Sequence, residues 1–342
     1  MTKTDVVIIG AGPVGLFAIF ELGLQGLKTH VVEALAQAGG QCSELYPTKP
    51  IYDIPAVPVC TGQQLTDLLL QQVTPFNPTF HYDQEVIELE KRGEHDFYLK
   101  TSKGLELECR AVIVAAGGGS FTPVKVKVEG LDQFLDSQLF YRVRDPAHHA
   151  GKDIVILGGG DSALDWALEL APLAKSLTVV NRTERFRASE ASVNQLRAME
   201  ADGKVSILLG MSTAFREVDG SLTEVQFTLR DEAKTQVWLP VEHLLVFFGM
   251  SPKIGAIENW GLDLERKHIV IDQSTFESST PGIYAIGDIN TYPGKKKLIL
   301  SGFHEAAMSA YAISQSFNPD KKIPVQYTTT SSVMQDRLGV ES

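Results

Sequence analysis

Apolar and polar positions fall into blocks whose lengths alternate along the chain. In DVVIIG (residues 5–10) the run after Asp5 is apolar without a break and too short for a helix, so it predicts a strand buried on both faces. VGLFAIFELGLQG (14–26) predicts a helix that ends at Gly26, and KTHVVEA (28–34) predicts the next buried strand. Together these make one βαβ unit. The same order returns later as KDIVILG (152–158), ALDWALELAPLA (163–174) and SLTVVNR (176–182). LECRAVIVAAGGGSFTP (107–123) and PVEHLLVFFGMSPKIG (240–255) each read as an apolar strand running into a Gly- or Pro-rich crossing. They predict the two connections of an inserted domain. GIYAIGD (282–288) predicts a further strand, and SGFHEAAMSAYAISQSF (301–317) a helix. From Asn318 onward the chain is polar and includes Pro319 and Pro324, which predicts a loose C-terminus.

Each βαβ unit carries a glycine loop between its first strand and its helix. Gly10-Ala11-Gly12-Pro13-Val14-Gly15 fits GxGxxG; Gly158-Gly159-Gly160-Asp161-Ser162-Ala163 fits the GxGxxA variant. Such glycines permit a tight turn, close approach of backbone to a pyrophosphate, and close helix–strand packing, while the helix N-terminus offers free N–H groups to the phosphates. Glu33 stands 23 residues past Gly10, where a carboxylate can bind a ribose diol. Asn181 stands 23 residues past Gly158 and is followed by RTERFR. An acid there would repel a 2′-phosphate, whereas Arg182 and Arg187, with Arg185 close by, suit one. The first loop is therefore read for FAD or NAD and the second for NADPH, a flavin that stays and a nicotinamide that visits.

The composition narrows the classes. With 342 residues, 44% of them hydrophobic and 21% charged, the chain suits a two-domain globular protein. A net charge of -11 argues against a nucleic-acid partner. Docking an acidic protein then needs local positive charge, for which Lys295, Lys296 and Lys297 are the best cluster and Lys125 and Lys127 the second. Three cysteines, Cys42, Cys60 and Cys109, with no CxxC indicate neither a disulfide framework nor a zinc ribbon. His148, His149 and His304 lack the converging ligands of a metal site, so none is expected. The apolar N-terminal run is short for a membrane span and no targeting signal is visible, so a cytoplasmic protein without membrane contact is the expectation.

The order GAGPVG, Glu33, AGGQ, AAGG, GGGDSA, NRTERFRA, GD and SGFHEAA resembles the two-domain flavoprotein reductases of the thioredoxin reductase superfamily. That resemblance implies an α/β fold of two Rossmann-like dinucleotide-binding domains. The NADPH domain (119–250) would be inserted into the FAD domain (1–118 and 251–342, with a tail 318–342), and the protein would be a homodimer. Thioredoxin reductases carry a CxxC just before the second loop, where this chain reads SQLFYRVRDPAHHAGKDIVILGGG. LFYRVRD, GGQCSELYPTKPIYDIP, NWGLD and the extended tail instead resemble the thioredoxin-reductase-type ferredoxin–NADP+ reductases.

By this resemblance Gly10, Gly12, Pro13, Gly15, Glu33, Gly40, Gln41, Tyr46, Val86, Ala116, Gly117, Phe121, Gly287, Asp288 and Tyr327 would serve FAD. Gly158, Gly160, Asp161, Ser162, Arg182 and Arg187 would serve NADPH. Tyr46 would stack on one face of the flavin ring, and Tyr327 would cover and gate the other face across the dimer. Thr183 stands where the family often has a further arginine. The implied reaction passes a hydride from NADPH to FAD N5, with no acid or base side chain required, and single electrons to a ferredoxin or flavodoxin. Two other readings remain: an NADPH-dependent disulfide or thiol reductase that lacks an internal CxxC or uses the one thiol of Cys42, and a flavin-based redox sensor.

Overall fold

The computed structural model describes residues 2–340, apart from the side chains of residues 120–122 and 250–252, so Phe121 lies outside the described residues. The chain divides into two units, Met1–Ser120 with Pro252–Ser342, and Phe121–Ser251.

The first unit opens with strand β1 (Val6–Ile9), buried throughout, and helix α1 (Pro13–Leu24). Helix α1 stops where the sequence predicts: Gly26 adopts φ +78, its N–H reaches the Gly23 carbonyl, and the Leu27 N–H reaches that of Leu22. Strand β2 (Thr29–Val32), the short helix α2 (Gln41–Glu44), helix α3 (Gly62–Val73) and strand β3 (Thr79–His81) follow. Thr61 and Gln64 form a reciprocal capping box at the start of α3. An antiparallel set (Val86–Gly93, Asp96–Thr101, Glu106–Cys109) leads to the buried strand β4 (Ala111–Val114).

The second unit contains β5 (Asp153–Leu157), α4 (Asp161–Leu170), β6 (Ser176–Asn181), α5 (Glu190–Ala201), β7 (Ser206–Val218) and β8 (His243–Val246). Its sheet runs Leu139–Phe140, β8, β5, β6 and β7 in parallel, then continues through antiparallel strands Ser221–Leu229 and Gln236–Pro240.

Back in the first unit, β9 (Ile283–Ala285) completes a parallel five-stranded sheet in the order β9, β4, β1, β2, β3. Helix α6 (Ile299–Ser316) follows. In each unit the strand before the glycine loop is central, with later strands laid down first on one side and then on the other. The end of that strand is the topological switch point at which open α/β sheets bind ligands.

The C-terminal segment corrects the expectation of a loose tail. Residues Ser332–Leu338 form helix α7, capped by the Ser331 hydroxyl and ended by Gly339 at φ +68. Met334 is buried, and the Arg337 guanidinium donates to the Leu24 carbonyl at the C-terminus of α1. A cation placed on an open helix C-terminus is favourable, and that anchor lies far outside the local window of sequence. Among the described residues no helix is long and apolar enough to cross a membrane.

Candidate functional site

The two loops share one geometry. A Cβ on Gly10 would lie 2.5 Å from the Ala115 carbonyl oxygen, just past the end of β4. A Cβ on Gly158 would lie 2.5 Å from the Phe247 carbonyl oxygen, just past the end of β8. Both residues have positive φ, so glycine is required for space and for conformation. Gly12 and Gly160, in contrast, face open space: nothing lies within 4 Å of a Cβ built on either. They are the N-caps of α1 and α4, and neither helix has a side-chain cap. The bare helix ends and open glycines form cradles that fit a pyrophosphate. Gly15, packed against the Gly10 carbonyl, and Pro13, at the first helical position, complete the first loop.

Around the first cradle the first unit gathers most of the residues expected to serve FAD. Glu33 is buried; its Oε2 accepts from the Ala11 N–H at 2.6 Å and its Oε1 from the Leu35 N–H at 2.8 Å. Burial pushes its carboxyl up, against the opposing pull of those backbone donors. The Gln84 N–H donates to the Glu33 carbonyl, and Val86, two residues on, is buried. Gly40, at φ +54, brings its would-be Cβ within 3.1 Å of the Gly12 Cα. Gln41 Nε2 lies 3.8 Å from the Cβ position of Gly117, the residue after Ala116. Tyr46 is half-buried with its hydroxyl 3.5 Å from Cys42 Sγ, and burial pushes its phenol far above the usual range. Asp288 is near enough to add to that shift. Gly287, in the turn after β9, and Gly302, in the first turn of α6, both pack on Val14 of α1. Tyr327 is not part of this group: it is 68% exposed, on the stretch between α6 and α7.

In the second unit, the Asn181–Ser189 segment is tied to its loop. The Arg187 N–H donates to the Gly159 carbonyl at 2.6 Å, and the Ser189 N–H to Asp161 Oδ1 at 2.8 Å. Asn181 is buried; its Nδ2 donates to the Thr183 carbonyl at 2.7 Å, and its Oδ1 accepts from the Arg182 N–H at 2.9 Å. Asn181, at the position matching Glu33 of the first loop, thus shapes the turn that carries the arginines. Arg182, Arg185 and Arg187 are exposed around the buried Phe186. Ser162 is exposed in the first turn of α4. Sequence reasoning missed Arg230, whose Nη1 donates to the Arg182 carbonyl at 3.0 Å. It comes from a β-hairpin distant in sequence, so no local signal could have flagged it.

Lys295 requires a correction. Its side chain is 7% exposed and forms an ion pair with Glu305, which is fully buried, so it cannot belong to a docking surface. Lys296 and Lys297 are exposed, the latter 2.7 Å from His268 Nε2. Lys125 is held by Asp132 at 2.6 Å, while Lys127 is exposed. Glu305 was also missed, although a signal was present. Gly302, Glu305, Ala306, Ser309, Ala310 and Ile313 follow the spacing of a buried helical stripe, with a carboxylate in its midst.

The three cysteines are free and buried. Burial raises the thiols of Cys42 and Cys60 and pushes that of Cys109 up to about 12, the opposite of a reactive thiolate. His148 and His149 join His243 in a ring cluster, and His304 is exposed beside Phe276. Among the described residues no group of acids, histidines and cysteines could hold a metal ion.

The model of the pyridine nucleotide-disulphide oxidoreductases matches residues 4–312. The chain belongs to this family. Its curated relatives include ferredoxin–NADP reductase 2 of Cupriavidus necator, 54% identical over 99% of this chain and 92% of the relative. The protein of the same name from Cupriavidus metallidurans is 53% identical over the same shares. Among solved structures, thioredoxin reductase of Lactococcus lactis matches with a TM-score of 0.75 at 23% identity, covering 92% of this chain and 99% of that one. The likeness places this family member in the thioredoxin-reductase-type two-domain α/β fold.

Proposed function

We propose that this chain is a ferredoxin–NADP reductase, exchanging electrons between NADPH and a one-electron carrier through FAD. The observation that carries the reading is the contrast between two like cradles. One has a buried carboxylate, Glu33, at its ribose position; the other has Asn181 and a set of exposed arginines. FAD, when bound, supplies the coupling of a two-electron donor to one-electron acceptors.

The chain's own residues bind and orient. An FAD domain of residues 1–118 and 251–342 would hold FAD by the α1 cradle, Glu33, Gln41 and the Gly287–Asp288 turn. An inserted NADPH domain of residues 119–250 would hold NADPH by the α4 cradle, Arg182 and Arg187. Tyr46, its phenol neutral, serves as a flat wall for the flavin ring. No acid or base side chain is needed; orientation and exclusion of water carry the catalysis. The inert thiols give a disulfide reductase reading no support.

The reading extends to three finer points. The protein is a homodimer in which Tyr327 of one protomer covers the flavin of its partner; the exposure of that ring supports this. The acceptor, ferredoxin or flavodoxin, docks by charge at Lys296 and Lys297. The compartment is the cytoplasm, which suits three free thiols.

The test is steady-state NADPH oxidation by the FAD-loaded protein, with cytochrome c as reporter and ferredoxin present or absent. Ferredoxin-dependent reduction that prefers NADPH to NADH, and that falls as salt rises, is expected. Activity only with a disulfide reporter would overturn the reading. Sedimentation and Tyr327→Ala test the dimer: unchanged flavin absorbance and hydride-transfer rate in that variant would remove Tyr327 from the site.

A further inference from the structure

The buried pair under the Gly287–Asp288 turn goes beyond the nucleotide loops. Glu305 lies on the inner face of α6 and is fully buried. Its Oε2 accepts from the Gly287 N–H at 2.7 Å and from Asn290 Nδ2 at 2.9 Å; its Oε1 accepts from the Tyr292 hydroxyl at 2.9 Å. Lys295 pairs with Oε1 and donates to the Gly287 carbonyl at 2.9 Å. Both backbone groups of Gly287 are therefore held by this one ion pair. Asn290 Nδ2 also ties back to the Ala285 carbonyl at the end of β9.

The location gives this arrangement its meaning. A Cβ on Gly287 would lie 3.5 Å from Val14, in the first turn of α1, whose N-cap Gly12 opens the cradle. Asp288, the next residue, acts electrostatically on Tyr46. The rest of the α6 stripe is small or apolar, so an apolar residue at 305 would suit packing alone. A charged pair in that place holds a turn and fixes a local charge.

We propose that Lys295 and Glu305 are positioning residues for the flavin, clamping the Gly287–Asp288 turn from behind and keeping the charge beneath it balanced. This rests on the flavin reading above. Breaking one partner leaves an uncompensated buried charge, whereas replacing both removes it. Glu305→Gln leaves an ammonium under the turn, which favours electron uptake. Lys295→Met leaves a carboxylate, which opposes it.

The experiment compares the full-length protein with Lys295→Met, Glu305→Gln and the double variant. Three readouts are used: FAD affinity by fluorescence quenching, the FAD midpoint potential, and hydrogen exchange of peptides spanning Gly287 in the FAD-free chain. Each single variant is expected to weaken FAD binding about tenfold or more and to speed exchange at the turn. The potential is expected to rise in Glu305→Gln and fall in Lys295→Met, with the double variant between them. If Glu305→Gln fails to fold, Lys295→Met carries the test, since methionine keeps the length of the lysine stem. Wild-type affinity, potential and exchange in Lys295→Met would overturn the proposal, as would potential shifts of one sign in both single variants. A wild-type chain that binds no FAD would overturn the flavin reading instead, and exchange at Gly287 would still decide whether the pair holds the turn.

Discussion

The backbone N–H of Arg187 donates to the carbonyl of Gly159 across 2.6 Å. An arginine distant in sequence from the second glycine loop is thereby stitched onto it, and an isolated β-bridge between Gly160 and Arg187 marks the same join.

That join makes nucleotide choice testable. Arg182→Ala and Arg187→Ala are each expected to raise KM for NADPH about tenfold, the scale of one lost charge-assisted contact at an exposed site. KM for NADH should stay as it is. Steady-state kinetics with both donors checks this, and an equal rise for both would show that the arginines do not read the 2′-phosphate.

Glu33→Ala removes the acceptor of two backbone donors at once, Ala11 and Leu35. Leaving buried N–H groups unmet costs about 2 kcal/mol or more in stability. FAD affinity should fall with it, because the Ala11 N–H fixes the loop as well as the carboxylate. Denaturant unfolding of the FAD-free protein and FAD titration read the two effects separately. A variant with wild-type stability would remove the structural half of this account.

Acid should weaken the second unit. Burial holds His149 and His243 down to about 4, and their rings meet at 2.9 Å between Nδ1 atoms. His148 stacks on His243, and Lys152, Glu242 and Asp145 are the other charged groups acting on the pair. In the unfolded chain these imidazoles titrate at about 6.5. Below that value the unfolded state binds more protons than the folded one, so stability is full above it and is lost as pH falls toward about 4. Thermal midpoints between neutral pH and acid check the trend. A midpoint in the wild type that falls no further than in a His149→Leu/His243→Leu variant would refute it.

Arg337→Ala should release α7. The helix has seven residues, too few to hold on its own, and depends on Arg337 at the Leu24 carbonyl and on the buried Met334. Faster proteolysis after residue 318, with little change in the unfolding of the remaining fold, is the expected result. Unchanged cleavage would mean that Met334 alone is a sufficient anchor.

The local pattern determined much of this protein. Continuous apolar runs marked β1, β5 and their partners because strands buried on both faces need them, and GxGxx(G/A) with a 23-residue offset marked both cradles. The same offset separated Glu33 from Asn181, the contrast on which the proposal of different nucleotides for the two loops rests. Those signals act over a few residues of backbone, so they survive in the sequence alone. Tertiary structure decided what depends on segments far apart. It turned Lys295 inward to Glu305, where a lysine run had suggested a surface. It ordered the tail through a contact between Arg337 and the end of α1, and it brought Arg230 to the carbonyl of Arg182. Whether a charge faces water or a buried partner is a matter of desolvation against pairing, and the partner that settles it is chosen only when the chain has folded.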